Sequence, residues 1–305
     1  MGNQQNYTTL ISANQLQQLT ASGQPFMVFD CSFDLMNPQA GVEMYQEAHI
    51  PGAVYAHLDT ALSDKSVQPA GARELPDNER PASAGRHPLP AREKFAAWLS
   101  SVGFGNGMQA VVYDRQGANY CGRLWWMLKW VGHDSVAVLD GGLQAWQALS
   151  DTGSGATSSG AEPARSPSNF ALASAIATLF TTKKVADNLG RPVQTIVDAR
   201  AAPRFRGEVE PLDPVAGHIP GALNRPFTQN IGTDGKFKPA AVLKAEFEAL
   251  LAGRDAATVV HHCGSGVSAV PNIIAMEIAG LGRTALYAGS WSEWCSDPSR
   301  RVAQG

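Results

Sequence analysis

The sequence predicts an α/β protein built from two homologous domains, each a parallel sheet with helices on both faces. Three observations predict this. Short apolar runs that end in a polar or acidic residue alternate with helical patterns, the rhythm of βαβ units. A strand ending in aspartate and a His-Ile-Pro-Gly-Ala block each occur twice. The two aspartates, Asp30 and Asp198, lie 168 residues apart, and the two histidines, His49 and His218, lie 169 apart. Offsets that agree so closely indicate internal duplication.

Taken in order, Ile11–Leu19 reads as a short amphipathic helix with Ser12 as a candidate cap. Pro25–Asp30 reads as a buried strand, and Glu47–Val54 carries the first His-Ile-Pro-Gly-Ala. A segment from Leu62 to Pro90, rich in Pro, Gly, Asp and Arg, lengthens the first half by about twenty residues over the second, and irregular loops of that length are often functional. Ala110–Asp114 is the next strand, Gly122–Val131 a helix, and Val136–Asp140 a strand that leads to Gly141, Gly142 and Trp146. Ser150–Gly160 is rich in Gly, Ser and Thr and reads as a linker. Thr195–Arg200 then repeats the strand with its acid, and Gly217–Leu223 repeats the block. Ala257–Val260 is a strand, Val270–Ala279 a helix, and Leu286–Trp294 matches the close of the first half. The expected boundaries are a first domain over 1–149, a linker over 150–168 and a second domain over 169–305.

Composition narrows the function. The chain has 305 residues, 44% hydrophobic and 17% charged, with a net charge of −3. It carries no basic tract that would suit nucleic acid. No apolar run approaches the roughly 18 residues of a membrane span, and Met1–Tyr7 does not have the pattern of a secretory signal. The four cysteines, Cys31, Cys121, Cys263 and Cys295, are far apart, with no CxxC pair. That spacing points away from zinc and from a disulfide scaffold, and toward a reducing cytoplasm.

The stretch His261-His262-Cys263-Gly264-Ser265-Gly266-Val267-Ser268-Ala269 concentrates the chemistry. It puts a cysteine at the carboxyl end of a strand, in a loop of small residues, just before a helix. In an open α/β sheet that is where ligands bind. Glycines let successive backbone N–H groups converge on an anion, and the helix N-terminus adds partial positive charge. Both favour a nucleophilic thiolate. In the duplication Asp114 stands at the place of Cys263. Adjacent residues of a strand face opposite ways, so packing is the expected role for His261 and His262. His49 and His218 recur in both halves, which favours a turn-stabilising role.

The paired strand-aspartate and His-Ile-Pro-Gly-Ala blocks, the Cys263 loop and the closing Leu286–Trp294 together resemble the tandem rhodanese-domain sulfurtransferases, over roughly residues 8–296. The Cys-Gly-Ser-Gly-Val-Ser loop is similar to that of the 3-mercaptopyruvate sulfurtransferases, whereas thiosulfate-preferring members usually carry Arg-Lys after the cysteine. The resemblance implies an inactive first domain and a catalytic second domain. It also implies a Cys263 persulfide loaded by 3-mercaptopyruvate or thiosulfate and emptied by a thiol, thioredoxin or cyanide. Gly264, Ser265, Gly266, Val267 and Ser268 would cradle the sulfur, and Arg204 would clamp the donor, its planar fork suiting a carboxylate or thiosulfonate. An Asp59–His87–Ser265 relay would supply a proton. A second family arginine is replaced here by Leu212, with Arg206 as a candidate substitute. No cofactor or metal is implied.

Two rivals remain. A phosphatase of this fold needs an arginine six residues after its cysteine to bind phosphate, and Ala269 stands there. A non-catalytic persulfide carrier or binding module is the alternative from another class, and loss of the cysteine would be its signature.

Overall fold

A computed structural model describes residues 5–65, 80–149 and 155–305. The first residues of the expected linker (150–154), the middle of the expected insertion (66–79) and residues 1–4 lie outside the described residues. Two compact units emerge, neither continuous in sequence. The first comprises Met1–Leu62, Ala91–Ile176 and Thr233–Phe237; the second comprises Ser63–Pro90, Ala177–Gly232 and Lys238–Gly305. The described part of the insertion after Leu62 therefore belongs to the second unit.

The first unit contains β1 (Leu10–Ile11), α1 (Ala13–Ala21), β2 (Phe26–Asp30), α2 (Ala40–Glu47), β3 (Val54–Tyr55), α3 (Arg92–Ser101), β4 (Gln109–Tyr113), α4 (Cys121–Trp130), β5 (Val136–Leu139) and α5 (Gly142–Gln147). Its five parallel strands run in the order β1-β5-β4-β2-β3. Ser12 caps α1 as expected, and a reciprocal bond with Gln15 completes a capping box. Ile11 falls in β1 instead of the helix. Strand β4 is buried along its whole length, as strands covered on both faces are. All ten residues of α4 are buried. A helix apolar on every side belongs inside the core, and its Lys129 is reconciled to that place by pairing with Asp134 at 2.7 Å.

The second unit repeats the plan with β6 (Thr178–Phe180), α6 (Thr182–Asp187), β7 (Thr195–Asp198), α7 (Ala202–Phe205), β8 (Leu223–Asn224), α8 (Ala240–Leu251), β9 (Val259–His262), α9 (Val270–Ile278), β10 (Ala285–Tyr287) and α10 (Ser290–Trp294). The parallel order is β6-β10-β9-β7-β8. The strand expected at Ala257–Val260 begins later, because Asp255 caps a 3-10 turn at Ala256–Thr258 and delays the extended backbone. The core joins Val185, Ile196, Ile219, Val260, Tyr287, Trp291 and Trp294.

The duplicated histidines act alike. His49 Nδ1 bonds the Tyr45 carbonyl oxygen at 2.7 Å and stacks on Tyr45. His218 Nδ1 bonds the Phe205 carbonyl oxygen at 2.8 Å and stacks on Phe205. Each tethers the turn that follows it to the preceding helix, the structural role that recurrence in both halves suggests.

Strand order also locates the site. The chain leaves β7 toward β8 on one side and returns to place β9 on the other, so the loops after β7 and β9 flank a topological switch point. Asp198 and His262 end these strands as register partners. Cys263 begins the loop after β9.

Candidate active site

The cysteine loop is held from β10 and α10. Ser290 is buried in a left-handed conformation, φ 56°. Its Oγ accepts the Cys263 N–H at 3.1 Å and donates to the Tyr287 carbonyl at 2.9 Å. The Trp291 N–H donates to the Cys263 carbonyl at 3.0 Å, and the Ser292 N–H to the Gly264 carbonyl at 2.9 Å. At Gly266, φ is 77°, and a Cβ there would lie 2.2 Å from the Ala288 carbonyl oxygen. Only glycine fits that position. Cys263, Ser265 and Val267 are buried, and Ser268 is half-buried. The N–H groups of Ser265, Val267 and Ala269 are engaged by none of the described residues.

The equivalent loop of the first unit shows what such N–H groups can do. The Asp114 carboxylate occupies its own loop. Oδ1 accepts from Gln116 and Ala118, and Oδ2 from Tyr120 and Cys121, all at 2.8–3.0 Å. Counting from the Asp/Cys position, Gln116, Ala118 and Tyr120 correspond to Ser265, Val267 and Ala269.

His87 is buried, and its Nδ1 shares a hydrogen bond of 2.7 Å with Ser265 Oγ. Two of the three expected relay residues are thus brought together within the second unit. Asp59 belongs to the first unit, after β3, where its backbone N–H donates to His57 Nδ1 at 3.0 Å. The segment bearing His87 docks on the start of α10. The Ala84 N–H donates to the Glu293 carboxylate and the Arg86 N–H to Ser292 Oγ.

Arg204 reaches the loop, and a second arginine reaches it too. A Cβ on Gly264 would lie 2.9 Å from Arg86 Nη2 and 3.6 Å from Arg204 Nη1. Arg206, the candidate substitute, is exposed and pairs with Glu208 at 2.6 Å. It takes no part in this cluster, because it turns toward the acid two residues on. Asp213 bridges the two loop arginines. Its Oδ1 lies 2.5 Å from Arg86 and its Oδ2 3.3 Å from Arg204. Burial pushes the Asp213 carboxyl above its ordinary range, Arg86 opposes this, and Glu210 adds to it. Glu210 binds Arg204 at 2.5 Å and Arg200 at 3.3 Å. Arg200 grips Asp198 at 2.6 Å and lies over the Trp291 ring. Burial works against the Asp198 carboxylate, yet His262 and Arg200 hold it below its ordinary range.

Neither histidine before the cysteine aims at the thiol. His261 Nε2 lies against Met276 Sδ, and burial, with smaller contributions from His262 and Arg225, pushes its pKa down to about 3. His262 Nδ1 faces the Cys263 carbonyl, and its Nε2 is 3.5 Å from Asp198. Cys31, Cys121 and Cys295 are free and buried. Among the described residues no helix is long and apolar enough to cross a membrane.

Sequence reasoning did not assign roles to Arg86, Glu210, Asp213 or Ser290. Arg86 stands beside His87 in a segment without periodicity, and only the assignment of that segment to the second unit gives it meaning. Ser290 carried one usable signal, since it stands where the first half has Gly142.

Comparison with known proteins bears on this arrangement. The family described as the rhodanese-like domain matches residues 12–149 and again 181–297. A Pseudomonas aeruginosa protein named "Probable 3-mercaptopyruvate sulfurtransferase" is 43% identical, covering 95% of this chain and 96% of its own. An Arabidopsis thaliana protein named "Thiosulfate/3-mercaptopyruvate sulfurtransferase 1, mitochondrial" is 33% identical, covering 89% of this chain and 72% of its own. Among solved structures, the 3-mercaptopyruvate sulfurtransferase from Leishmania major superposes with a TM-score of 0.76 at 29% identity, covering 95% of this chain and 74% of that one. The chain belongs to the rhodanese family and is a tandem-domain sulfurtransferase.

Proposed function

We propose that the enzyme takes a sulfur atom from 3-mercaptopyruvate, and less efficiently from thiosulfate, and holds it as a Cys263 persulfide. It then passes the sulfur to a thiol, thioredoxin or cyanide. The Cys263 thiolate attacks the donor sulfur, an S–S bond forms and the C–S bond breaks. The electron pair leaves with pyruvate as its enolate, which takes up a proton. With thiosulfate the leaving group is sulfite, and no proton is needed. The acceptor attacks the outer sulfur and restores the thiolate, so the two half-reactions alternate. The N–H groups of Ser265, Val267 and Ala269 serve the persulfide anion as an oxyanion hole serves oxygen, with Gly264, Gly266 and Ser268 shaping the turn. In this reading the first half carries no catalysis, because Asp114 cannot accept sulfur.

Arg204 and Arg86 are the two cations for the donor's anionic end. Ser265 delivers the proton to the enolate and His87 replenishes it. Four free cysteines are in keeping with a reducing cytoplasm. The His87–Ser265 hydrogen bond carries the preference for mercaptopyruvate, because only that donor's leaving group has to be protonated.

The test is kcat/KM for both donors with cyanide, read as thiocyanate, in wild type and His87→Ala. Mercaptopyruvate turnover should fall by about 100-fold or more, the range for loss of a general acid. Thiosulfate turnover should change by less than about fivefold. Equal losses would remove the relay, and thiocyanate that persists in Cys263→Ser would remove the persulfide.

A further inference from the structure

A carboxylate lies where a donor site would be expected to keep its positive charge free. Asp213 is 4% exposed and spans the two guanidiniums beside Gly264, with one oxygen on each. Its place is set by the backbone: the N–H groups of Leu212 and Asp213 both donate to Glu210 Oε1, at 3.1 and 3.2 Å. The charged groups linked around it form a chain, Asp198–Arg200–Glu210–Arg204–Asp213–Arg86. Three arginines face three acids, so this cluster has no cation in surplus.

From this balance we infer that Asp213 is a specificity-determining residue that makes the site favour a singly charged donor over a doubly charged one. The inference rests on the reading of Arg86 and Arg204 as the donor's cations. A monocarboxylate such as 3-mercaptopyruvate brings one negative charge to this balanced, half-buried cluster. Thiosulfate brings two, and the second meets Asp213 with no surplus cation to balance it. At about 6 Å and an effective dielectric near 20, one extra unit charge alters an equilibrium by roughly 100-fold, and solvent screening trims this toward tenfold. Asp213 thus complements the proton relay. The relay speeds the donor that needs a proton, and Asp213 hinders the donor that carries a second charge.

Asp213→Asn keeps the shape and removes the charge; Asp213→Glu keeps the charge. In Asp213→Asn the ratio of kcat/KM for thiosulfate to that for mercaptopyruvate should rise at least about tenfold, while Asp213→Glu stays within about threefold of the wild-type ratio. An unchanged or lower ratio in Asp213→Asn overturns the inference, because a residue that only props the arginines would lower both donors together. A second measurement needs no turnover. In a Cys263→Ser background, calorimetry with sulfate and with pyruvate should show Asp213→Asn tightening sulfate at least about tenfold more than pyruvate. Equal changes for the two anions would also overturn it. If wild type turns over neither donor, the donor assignment falls, and the two anions still decide the role of Asp213.

Discussion

Asp114 and Cys263 occupy the same place in the two repeats, directly after a fully buried strand. In the first repeat the residue folds back as a carboxylate and takes four backbone N–H groups. In the second the residue is a thiol, and the N–H groups of Ser265, Val267 and Ala269 remain unengaged by the described residues. The turn holds an anion in the first half. In the function proposed above, its counterpart is kept for the persulfide anion. A second difference follows the same line. Gly142, φ 59°, is replaced by Ser290, φ 56°. A left-handed L-residue costs about 1–2 kcal/mol, and here the serine oxygen offsets that by bonding the Cys263 N–H and the Tyr287 carbonyl.

The sharpest way to break this comparison is to empty the filled cradle. Asp114→Ala removes the acceptor of four backbone N–H groups, three of them buried, and each buried one is worth about 1–3 kcal/mol when stranded. We expect a loss of roughly 3–5 kcal/mol of stability in chemical denaturation, with turnover per folded molecule within about twofold of wild type. A large fall in turnover at preserved stability would show that the first loop does more than hold its own fold.

A smaller effect separates the strands that lead into the two loops. His261 stands where the first half has Val112, and burial depresses its pKa to about 3. The unfolded chain protonates such a group near pH 6.5, so between about pH 6.5 and 3 the unfolded state binds the extra proton. Stability is therefore full above about pH 6.5 and falls as pH drops, by up to about 1.4 kcal/mol per unit from this group. His261→Val copies the first half and should flatten the acid limb of a stability–pH curve by about that slope. An unaltered slope would mean that His261 is protonated in the folded protein.

The fold was legible because duplication wrote it twice. Each strand with its terminal aspartate, each His-Ile-Pro-Gly-Ala block and each helical pattern supported its counterpart, and local periodicity needs no knowledge of the tertiary structure. Cys263, Ser265 and Arg204 were legible because strand ends and the loops after them map onto one sheet edge. Arg86 and Asp213 were not. They belong to aperiodic segments more than a hundred residues apart, and only the folded chain brings them to one point. Whether Arg206 could stand in for the missing arginine was open in the sequence for a related reason: proximity in sequence to Arg204 says nothing about which way a side chain turns, and Glu208 claims it.

The contrast between the two loops is tested most directly by locating the sulfur. The protein is incubated with 3-mercaptopyruvate without an acceptor, and peptides carrying Cys31, Cys121, Cys263 and Cys295 are analysed by mass spectrometry. The account predicts one added sulfur on the Cys263 peptide, none on the other three, and its removal by cyanide. Sulfur on Cys31 or Cys121, or a loaded protein after Cys263→Ser, would contradict it.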